Sequence, residues 1–286
     1  MEPTSTAMPT PGTITWHDPQ RHLAFRRWLA PQVDRHGLDP STLALASSDA
    51  SFRRYFRIQA SAVPEGSCVI MDAPPEQEDV RPFLHVAKLL AQAQLPAPRV
   101  LHADASLGFV LLSDLGRSTA LQALADPCVA RPQPTLQAAA ALLVEWQMRM
   151  PARALPVFDA AVLRDELELF PTWCVARDRG LVWSDTERSL WQSWSQRLVD
   201  SATAQPAVAV HRDWMLRNLM LQSGSTPMVP RLGILDFQDA ASGPLTYDLA
   251  SMLRDAFVSW DEEQELDVGV RYWELARRSG LPVDPD

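Results

Sequence analysis

Residues His211–Asn218 read HRDWMLRN, and a second stretch, Leu232–Asp239, reads LGILDFQD. In the first stretch Asp213 precedes Asn218 by five positions, which gives the pattern H-R-D-x-x-x-x-N. The second stretch is an apolar run that ends in the carboxylate of Asp236. Two carboxylates and one amide therefore follow one another in a fixed order.

Three short apolar runs flank these polar residues. Val208–Val210 leads into the first stretch, Leu219–Leu221 starts directly after it, and Ile234–Leu235 runs into the second carboxylate. Such runs are typical of strands, so the sequence predicts a strand, a loop, a strand, a turn and a third strand. The alternative is a capped turn, in which the polar side chains bond the local backbone.

Phosphoryl transfer from ATP requires the residue types found here. A carboxylate must orient the acceptor hydroxyl and take its proton, while an amide oxygen and a second carboxylate hold Mg²⁺ on the phosphates. We assign the first role to Asp213 and the metal to Asn218 and Asp236, in the order that the protein-kinase signature also has. The sequence thus predicts an ATP- and Mg²⁺-dependent phosphotransferase with an alcohol group as acceptor.

The composition narrows the class of protein. With 286 residues and 47% hydrophobic side chains, the chain can form one large domain or two smaller ones. A formal net charge of −9 argues against a nucleic-acid partner, and no apolar run reaches the length of a membrane span. Residues 1–17 are expected to form a disordered tail without a signal peptide. The three cysteines have no metal or redox spacing, which fits a reduced, cytoplasmic and monomeric enzyme.

A candidate phosphate-covering hairpin lies near the N-terminus. Ser47–Ser51 leads into the aromatic run Phe52–Ile58, which we interpret as a strand, and Cys68–Met71 returns. The tip lacks glycine, so the Ser51 hydroxyl and backbone N–H groups would have to cradle the phosphates. An ordinary hairpin turn is the alternative.

The positive charge for the phosphates cannot come from the strand lysine that kinases use. Lys88 is the only lysine in the sequence, and it falls within a predicted helix. Arginine must replace it, and the candidates are Arg53, Arg54 and Arg57. Strand alternation places Arg53 and Arg57 on one face and Arg54 on the other. Solvated edge-strand arginines are an equally open interpretation.

The boundary between two lobes is predicted after the strand Gly108–Leu112. Ser113 and Asp114 follow it, where a kinase linker binds adenine through backbone groups. We therefore expect a nucleotide-binding N-lobe over residues 18–113 and a catalytic and substrate-binding C-lobe over residues 114–286.

The C-terminal half is predicted to be largely helical. Thr135 and Asp159 are predicted caps, as Asp18 is for the first helix. Ala241–Pro244 is expected to turn into a helix that begins near Asp248. We expect Asp248 to tie down the loop that carries the predicted base.

Several longer strings resemble one family of kinases. They are DASFRRYFR at residues 49–57, MDAPP at 71–75, HRD and RNLM within 211–220, LDFQDA at 235–240, and GP and TYDL within 243–249. On these strings the chain is identified as a member of the aminoglycoside phosphotransferase-like kinase family. Within it, the chain is similar to the bacterial N-acetylmuramate/N-acetylglucosamine anomeric kinases. The resemblance implies an α+β, two-lobed protein-kinase-like fold with a small β-rich N-lobe and a larger helical C-lobe.

The resemblance also implies an activity. ATP and Mg²⁺ would serve transfer to the C1 hydroxyl of N-acetylmuramate and N-acetylglucosamine, giving an α-sugar-1-phosphate for UDP-sugar synthesis in peptidoglycan recycling. Relatives continue with helical sequence beyond the point that corresponds to Asp286. That departure predicts a C-lobe that is truncated or has lost its tail.

Charges near the predicted base distinguish possible acceptors. Muramic acid carries a carboxylate and favours arginine, so we take Arg212, Arg217 and Arg254, with Asp239, as candidate substrate-binding residues. An aminoglycoside is a cation and favours an acidic cleft, which makes an aminoglycoside-type phosphotransferase the first alternative. The second alternative is a non-catalytic, kinase-shaped binding protein, because the strand lysine is missing.

Overall fold

A β-sheet unit and a mostly helical unit make up the computed structural model, which describes residues 14–16, 18–48, 52–125, 131–226 and 228–284. The first unit comprises the described residues up to Lys88 together with Ala97–Gly116. The second comprises Leu89–Pro96 and the described residues from Arg117 onward. The β-rich and helical lobes that the resemblance implies are confirmed.

Helices and strands alternate in the first part of the chain, and helices predominate in the later part. The elements up to residue 125 are α1 (Pro19–His36), β1 (Leu38–Ser48), β2 (Arg54–Ala60), β3 (Ser67–Asp72), α2 (Arg81–Gln92), β4 (Val100–Asp104), β5 (Phe109–Ser113) and α3 (Ala120–Leu124). The later ones are α4 (Gln133–Arg149), α5 (Ala160–Leu169), α6 (Asp185–Thr203), β6 (Ala207–Val210), β7 (Leu219–Leu221), β8 (Leu232–Ile234), β9 (Ala241–Pro244), α7 (Tyr247–Leu253) and α8 (Glu262–Ser279). A π-helix at Phe170–Asp178 follows α5, and 3-10 turns lie at Ala152–Ala154 and Leu216–Asn218.

One antiparallel sheet forms the first unit, with strand order β1-β2-β3-β5-β4. Helix α1 covers one face of this sheet, and Asp18 caps the helix as predicted by accepting from the Gln20 amide at 2.8 Å. The helix contributes Phe25, Trp28 and Leu29 to the buried core. The sheet contributes Phe56, Ile58, Cys68, Ile70, Phe109 and Leu111. Alternate residues of each strand thus face α1, as the two-residue period of a strand requires.

A buried carboxylate ties the end of β3 to α1 and β2. Asp72 is fully buried, and its Oδ1 accepts from Arg21 Nη2 at 2.6 Å. Its Oδ2 accepts from Arg54 Nε at 3.0 Å. Arg54 also lies over the ring of Trp16, with its guanidinium carbon 4.4 Å from the ring centroid. Trp16 belongs to the predicted tail, most of which lies outside the described residues.

Two buried indoles support strand β6 in the second unit. Trp146 of α4 and Trp214 are both fully buried, and their ring centroids are 5.9 Å apart. Trp146 Nε1 donates to the Ala209 carbonyl at 2.9 Å, and Trp214 Nε1 donates to the Ala139 carbonyl at 3.3 Å. Strand β6 therefore has a fixed position on α4.

The predicted strands around the polar motif are present, and β7 pairs with β8 in an antiparallel hairpin. The prediction for Ala241–Pro244 was wrong, because this segment is strand β9 and pairs antiparallel with β6. The prediction for Thr135 was also wrong: α4 already begins at Gln133, and Thr135 is buried within its first turn. Pro134 fits there because a first-turn residue needs no amide proton. In the part of the chain that the structure describes, no helix has both the length and the apolarity to cross a membrane.

Removing the charge of Asp72 should destabilise the first unit. Asp72→Asn leaves Arg21 and Arg54 without an anion in a largely buried site, so we expect the free energy of unfolding to fall by about 3 kcal/mol. Urea unfolding followed by circular dichroism measures the change.

The matched control is Asp79→Asn. Asp79 also pairs with an arginine, but both Asp79 and Arg81 are largely exposed, so this variant should unfold like the wild type. Equal losses in both variants would contradict the role assigned to the buried pair.

Candidate active site

The polar motif follows strand β6, and its first residue is buried. His211 is 1% exposed, and its ring lies 5.5 Å from the ring centroids of both Trp146 and Trp214. Burial lowers the pKa of His211, so the imidazole is neutral. Its Nε2 lies 2.8 Å from the Leu235 carbonyl oxygen, which can only accept, so Nε2 carries the proton and donates it. This bond ties the first stretch to the residue that precedes Asp236.

Asp248 holds the backbone of the same loop. Its Oδ2 accepts from the His211 amide at 2.7 Å, and its Oδ1 accepts from the Arg212 amide at 2.9 Å. Asp248 is fully buried at the start of α7. Burial raises the pKa of Asp248 to about 7, against the lowering effect of the two backbone donors. These contacts are the ones that the sequence predicts for Asp248.

Two loop residues have unusual backbone angles. Arg212 has φ of 80° and Asp236 has φ of 58°, a region that residues other than glycine seldom adopt. Such conformations persist where the surroundings fix them, and they concentrate at functional sites. The Asp248 contact and a bond from Ser251 Oγ to the Arg212 carbonyl, at 3.2 Å, fix the first of them.

Asp213, Asn218 and Asp236 are brought together by backbone bonds. Asn218 Nδ2 donates to the Asp213 carbonyl at 2.9 Å, and the Leu235 amide donates to the Asn218 carbonyl at 2.9 Å. Asp213 is exposed, but partial desolvation by the surrounding protein raises the pKa of its carboxyl, and the charge of Asp236 raises it further. The Asp213 carboxylate therefore takes up a proton more readily than an ordinary aspartate, and it lies within the electrostatic reach of Asp236.

The side-chain oxygens of Asn218 and Asp236 are ligands that suit a hard cation such as Mg²⁺. Asn218 uses its amide nitrogen on the Asp213 carbonyl, which leaves the side-chain oxygen as the group for a metal. Gln238 Nε2 bridges Asp236 Oδ1 at 2.9 Å and Asp239 Oδ2 at 3.0 Å. Mg²⁺ takes few protein oxygens in phosphoryl-transfer sites and completes its shell with water and phosphate. Accordingly, no cluster of three or more His, Cys, Asp and Glu side chains is needed, and the described residues contain none.

The arginines predicted for the substrate lie in different surroundings. Arg212 pairs through Nη2 with Glu166 Oε1, and its guanidinium carbon is 5.1 Å from the Phe158 ring centroid. Arg217 lies over the ring of Phe257 at 4.6 Å. Arg254 pairs with a glutamate at 2.8 Å, on a cavity of about 420 Å³. That cavity is lined by Arg254, Trp260, Glu262, Glu265 and Leu266.

The arginines predicted for the nucleotide all belong to the first unit and all have acidic partners there. Arg53 Nη2 lies 3.2 Å from Glu78 Oε2. Arg54 is held by Asp72, as described above. Arg57 is bidentate on Asp114, with Nε to Oδ2 at 2.6 Å and Nη2 to Oδ1 at 3.1 Å. Arg53, directly before β2, and Arg54 and Arg57 within it are thus each anchored to a different carboxylate.

Three further residues were predicted to bind the nucleotide. Ser51 lies outside the described residues. Ser113 ends β5, and its Oγ accepts from the Arg99 amide at 2.9 Å. Asp114 accepts from Ser67 Oγ at 2.7 Å and from the Gly116 amide at 3.0 Å, besides binding Arg57. This network fixes the predicted linker within its own unit.

Two residues of the site were missed from the sequence. Gln238 lies inside the DFQD string, and its position between two aspartates was a usable signal. Glu166 pairs with Arg212 across 46 positions, and nothing local distinguishes it from other glutamates of an amphipathic helix.

Comparison with known proteins shows the family to which the chain belongs. Residues 42–283 match the model of the phosphotransferase enzyme family. The chain is 44% identical to the N-acetylmuramate/N-acetylglucosamine kinase of Neisseria meningitidis, covering 92% of this chain and 75% of that protein. It is 48% identical to the protein of the same name from Pseudomonas aeruginosa, covering 86% and 69%. For the one from Pseudomonas putida the identity is 46%, covering 94% and 74%.

Solved structures share the fold at low identity. Macrolide 2'-phosphotransferase type I superposes with a TM-score of 0.58 at 19% identity, covering 92% of this chain and 84% of that one. The ADP-bound aminoglycoside phosphotransferase APH(2'')-Ib superposes with a TM-score of 0.59 at 15% identity, covering 92% and 86%. The two-lobed kinase-like fold is thus confirmed.

Loss of the Asp248 carboxylate should loosen the loop. Asp248→Ala leaves one buried and one partly buried amide donor without an acceptor, which costs about 3 kcal/mol of unfolding free energy. Amide hydrogen exchange at His211 and Arg212 should accelerate. Asp248→Asn keeps one acceptor oxygen and should lose less. Equal stability of the two variants would contradict the assigned role.

Proposed function

Because the chain belongs to the phosphotransferase enzyme family, we propose that it transfers the γ-phosphoryl group of ATP to the C1 hydroxyl of N-acetylmuramate and N-acetylglucosamine. The carrying observation is the 44–48% identity to three proteins named for kinase activity on these two sugars. The product is the α-sugar-1-phosphate, which serves UDP-sugar synthesis in peptidoglycan recycling. We further propose a cytoplasmic monomer with no nucleic-acid or membrane partner, in keeping with the net charge of −9.

Asp213 is the proposed base. Asp213 is exposed, so an acceptor can reach its carboxyl, while partial desolvation by the surrounding protein and the negative charge of Asp236 both raise its pKa. A carboxylate with a raised pKa takes a proton more readily, which suits it to the hydroxyl of the acceptor. The C1 hydroxyl also assists, because an anomeric hydroxyl is more acidic than the other ring hydroxyls. Asn218 fixes the carbonyl of the same residue, so the base has a defined position.

Asn218 and Asp236 are the proposed Mg²⁺ ligands. Both present oxygen, which is the donor that Mg²⁺ prefers. The ion would neutralise charge on the phosphates of ATP. Gln238 orients the Asp236 carboxylate through a bond to Oδ1. Asp239, on the other side of Gln238, is proposed to help the sugar bind.

Arg53 is the arginine that we propose for the phosphates. Its pairing with Glu78, which lies just before α2, corresponds to the lysine–glutamate pair of protein kinases. Arg54 and Arg57 are bound to Asp72 and Asp114, and we assign them to holding those carboxylates. We retain Ser51 as a proposed phosphate contact, and Ser113 with Asp114 for adenine.

Asp213→Asn should remove the base while leaving the fold intact. We expect kcat to fall about 10²- to 10⁴-fold, with unchanged thermal unfolding and ATP binding by calorimetry. The matched control is Asp200→Asn, at an exposed aspartate on α6. Near-normal turnover in folded Asp213→Asn would remove Asp213 from this role.

The position of the acceptor hydroxyl distinguishes the proposal from an aminoglycoside-type kinase. The methyl glycoside of N-acetylglucosamine has no free C1 hydroxyl and should not be phosphorylated. The 6-deoxy sugar keeps it and should react. Phosphorus NMR of mixtures with ATP and Mg²⁺ identifies the product as a sugar-1-phosphate. Phosphorylation of the methyl glycoside at the rate of the free sugar would favour an aminoglycoside-type acceptor instead.

A further inference from the structure

An ion pair of the second unit lies beside the proposed base. Arg212 directly precedes Asp213, and its Nη2 contacts Oε1 of Glu166 on α5. The guanidinium lies over the Phe158 ring, which packs edge-on against Tyr247 at 4.9 Å. The two charged side chains are 27% and 36% exposed, so a soluble ligand can reach the pair.

The two proposed acceptors differ in one charge. N-acetylmuramate is N-acetylglucosamine with a lactyl ether on O3, and this group ends in a carboxylate. A guanidinium beside the base is the group that recognises a carboxylate, through charge-assisted hydrogen bonds. In the structure that guanidinium already holds a carboxylate of the chain itself.

We propose that Glu166 sets the preference between the two sugars, because it competes with the lactyl carboxylate of N-acetylmuramate for Arg212. This inference rests on the proposed function. Glu166 acts as a specificity residue in this role and takes no part in the transfer of the phosphoryl group.

The charge of Glu166 determines which of the two sugars it disfavours. Glu166 lowers the positive potential at Arg212, both by occupying Nη2 and by repelling a second carboxylate. The neutral sugar has no group that competes with Glu166, so its binding is indifferent to this contact. The Arg212 backbone is fixed separately by Asp248 and Ser251, so neutralising Glu166 leaves the loop in place. Glu166 and Arg212 both also act on the pKa of Asp213, which agrees with their closeness to the base.

Glu166→Gln is the test, because it keeps the shape of the side chain and removes its charge. We expect kcat/KM for N-acetylmuramate, divided by kcat/KM for N-acetylglucosamine, to rise about fivefold, the factor of a partly exposed ion pair of about 1 kcal/mol. The ratio cancels any effect of the variant on ATP or on the base. Added salt should reduce the wild-type ratio, since it screens only the charged acceptor.

The control is Glu145→Gln, which breaks a comparable arginine pair on α4 with Arg149 and should leave the ratio unchanged. Arg212→Gln is a second test variant, which removes the guanidinium and should lower the ratio. It keeps the inference testable if Glu166→Gln does not fold. An unchanged or lower ratio in folded Glu166→Gln, or an unchanged or higher one in Arg212→Gln, overturns the inference. If the wild type phosphorylates neither sugar, the proposed function fails and the inference falls with it. Activity on both sugars with an unmoved ratio overturns the inference alone.

Discussion

The carboxylate of Asp248 is the contact on which the loop that carries Asp213 depends. It accepts two successive backbone amides, of His211 and Arg212, and thereby holds the second of these residues at a positive φ. That angle turns the chain, so the next side chain, Asp213, leaves the loop in a direction that ordinary strand geometry would not give. The His211 ring then fixes the carbonyl of Leu235, one residue before Asp236. The proposed base and the proposed metal carboxylate are thus positioned by backbone atoms and buried side chains.

Buried aspartates also hold the first unit together, although there their partners are arginine side chains. Asp72 and Asp114 are both buried, and each is satisfied by arginine, because a buried charge is tolerated only with partners that replace water. With a single lysine in the sequence, nearly all positive charge is guanidinium. A planar guanidinium can bind two carboxylate oxygens at once, as Arg57 does, which a lysine ammonium cannot match. The shortage of lysine therefore suits a protein that anchors its strands and linker through aspartates.

The sequence predicted those parts of the site that are local. The pattern from His211 to Asn218, the strands beside it and the cap at Asp159 depend on neighbours within a few positions, and all appear in the structure. Ala241–Pro244 was missed because Gly-Pro is typical of a turn, whereas its strand character comes from pairing with β6, more than thirty positions earlier. Glu166 was missed for the same reason, since its partner lies 46 positions away. Contacts across such distances leave no periodicity for a sequence pattern to detect.

The proposed function assigns phosphoryl transfer and the choice of acceptor to different sets of residues. The loop that carries the proposed base and metal ligands is fixed through its backbone, by Asp248, His211 and Asn218, so we expect it to tolerate little change. The side chains of Arg212, Glu166 and Arg254 are partly or fully exposed and make none of these backbone contacts, so we expect their replacement to leave the loop in place. A fold built in this way can keep phosphoryl transfer while its acceptor changes. This explains how solved structures at 15–19% identity, named for macrolides and aminoglycosides, share the fold of a chain whose nearer relatives are named for amino sugars.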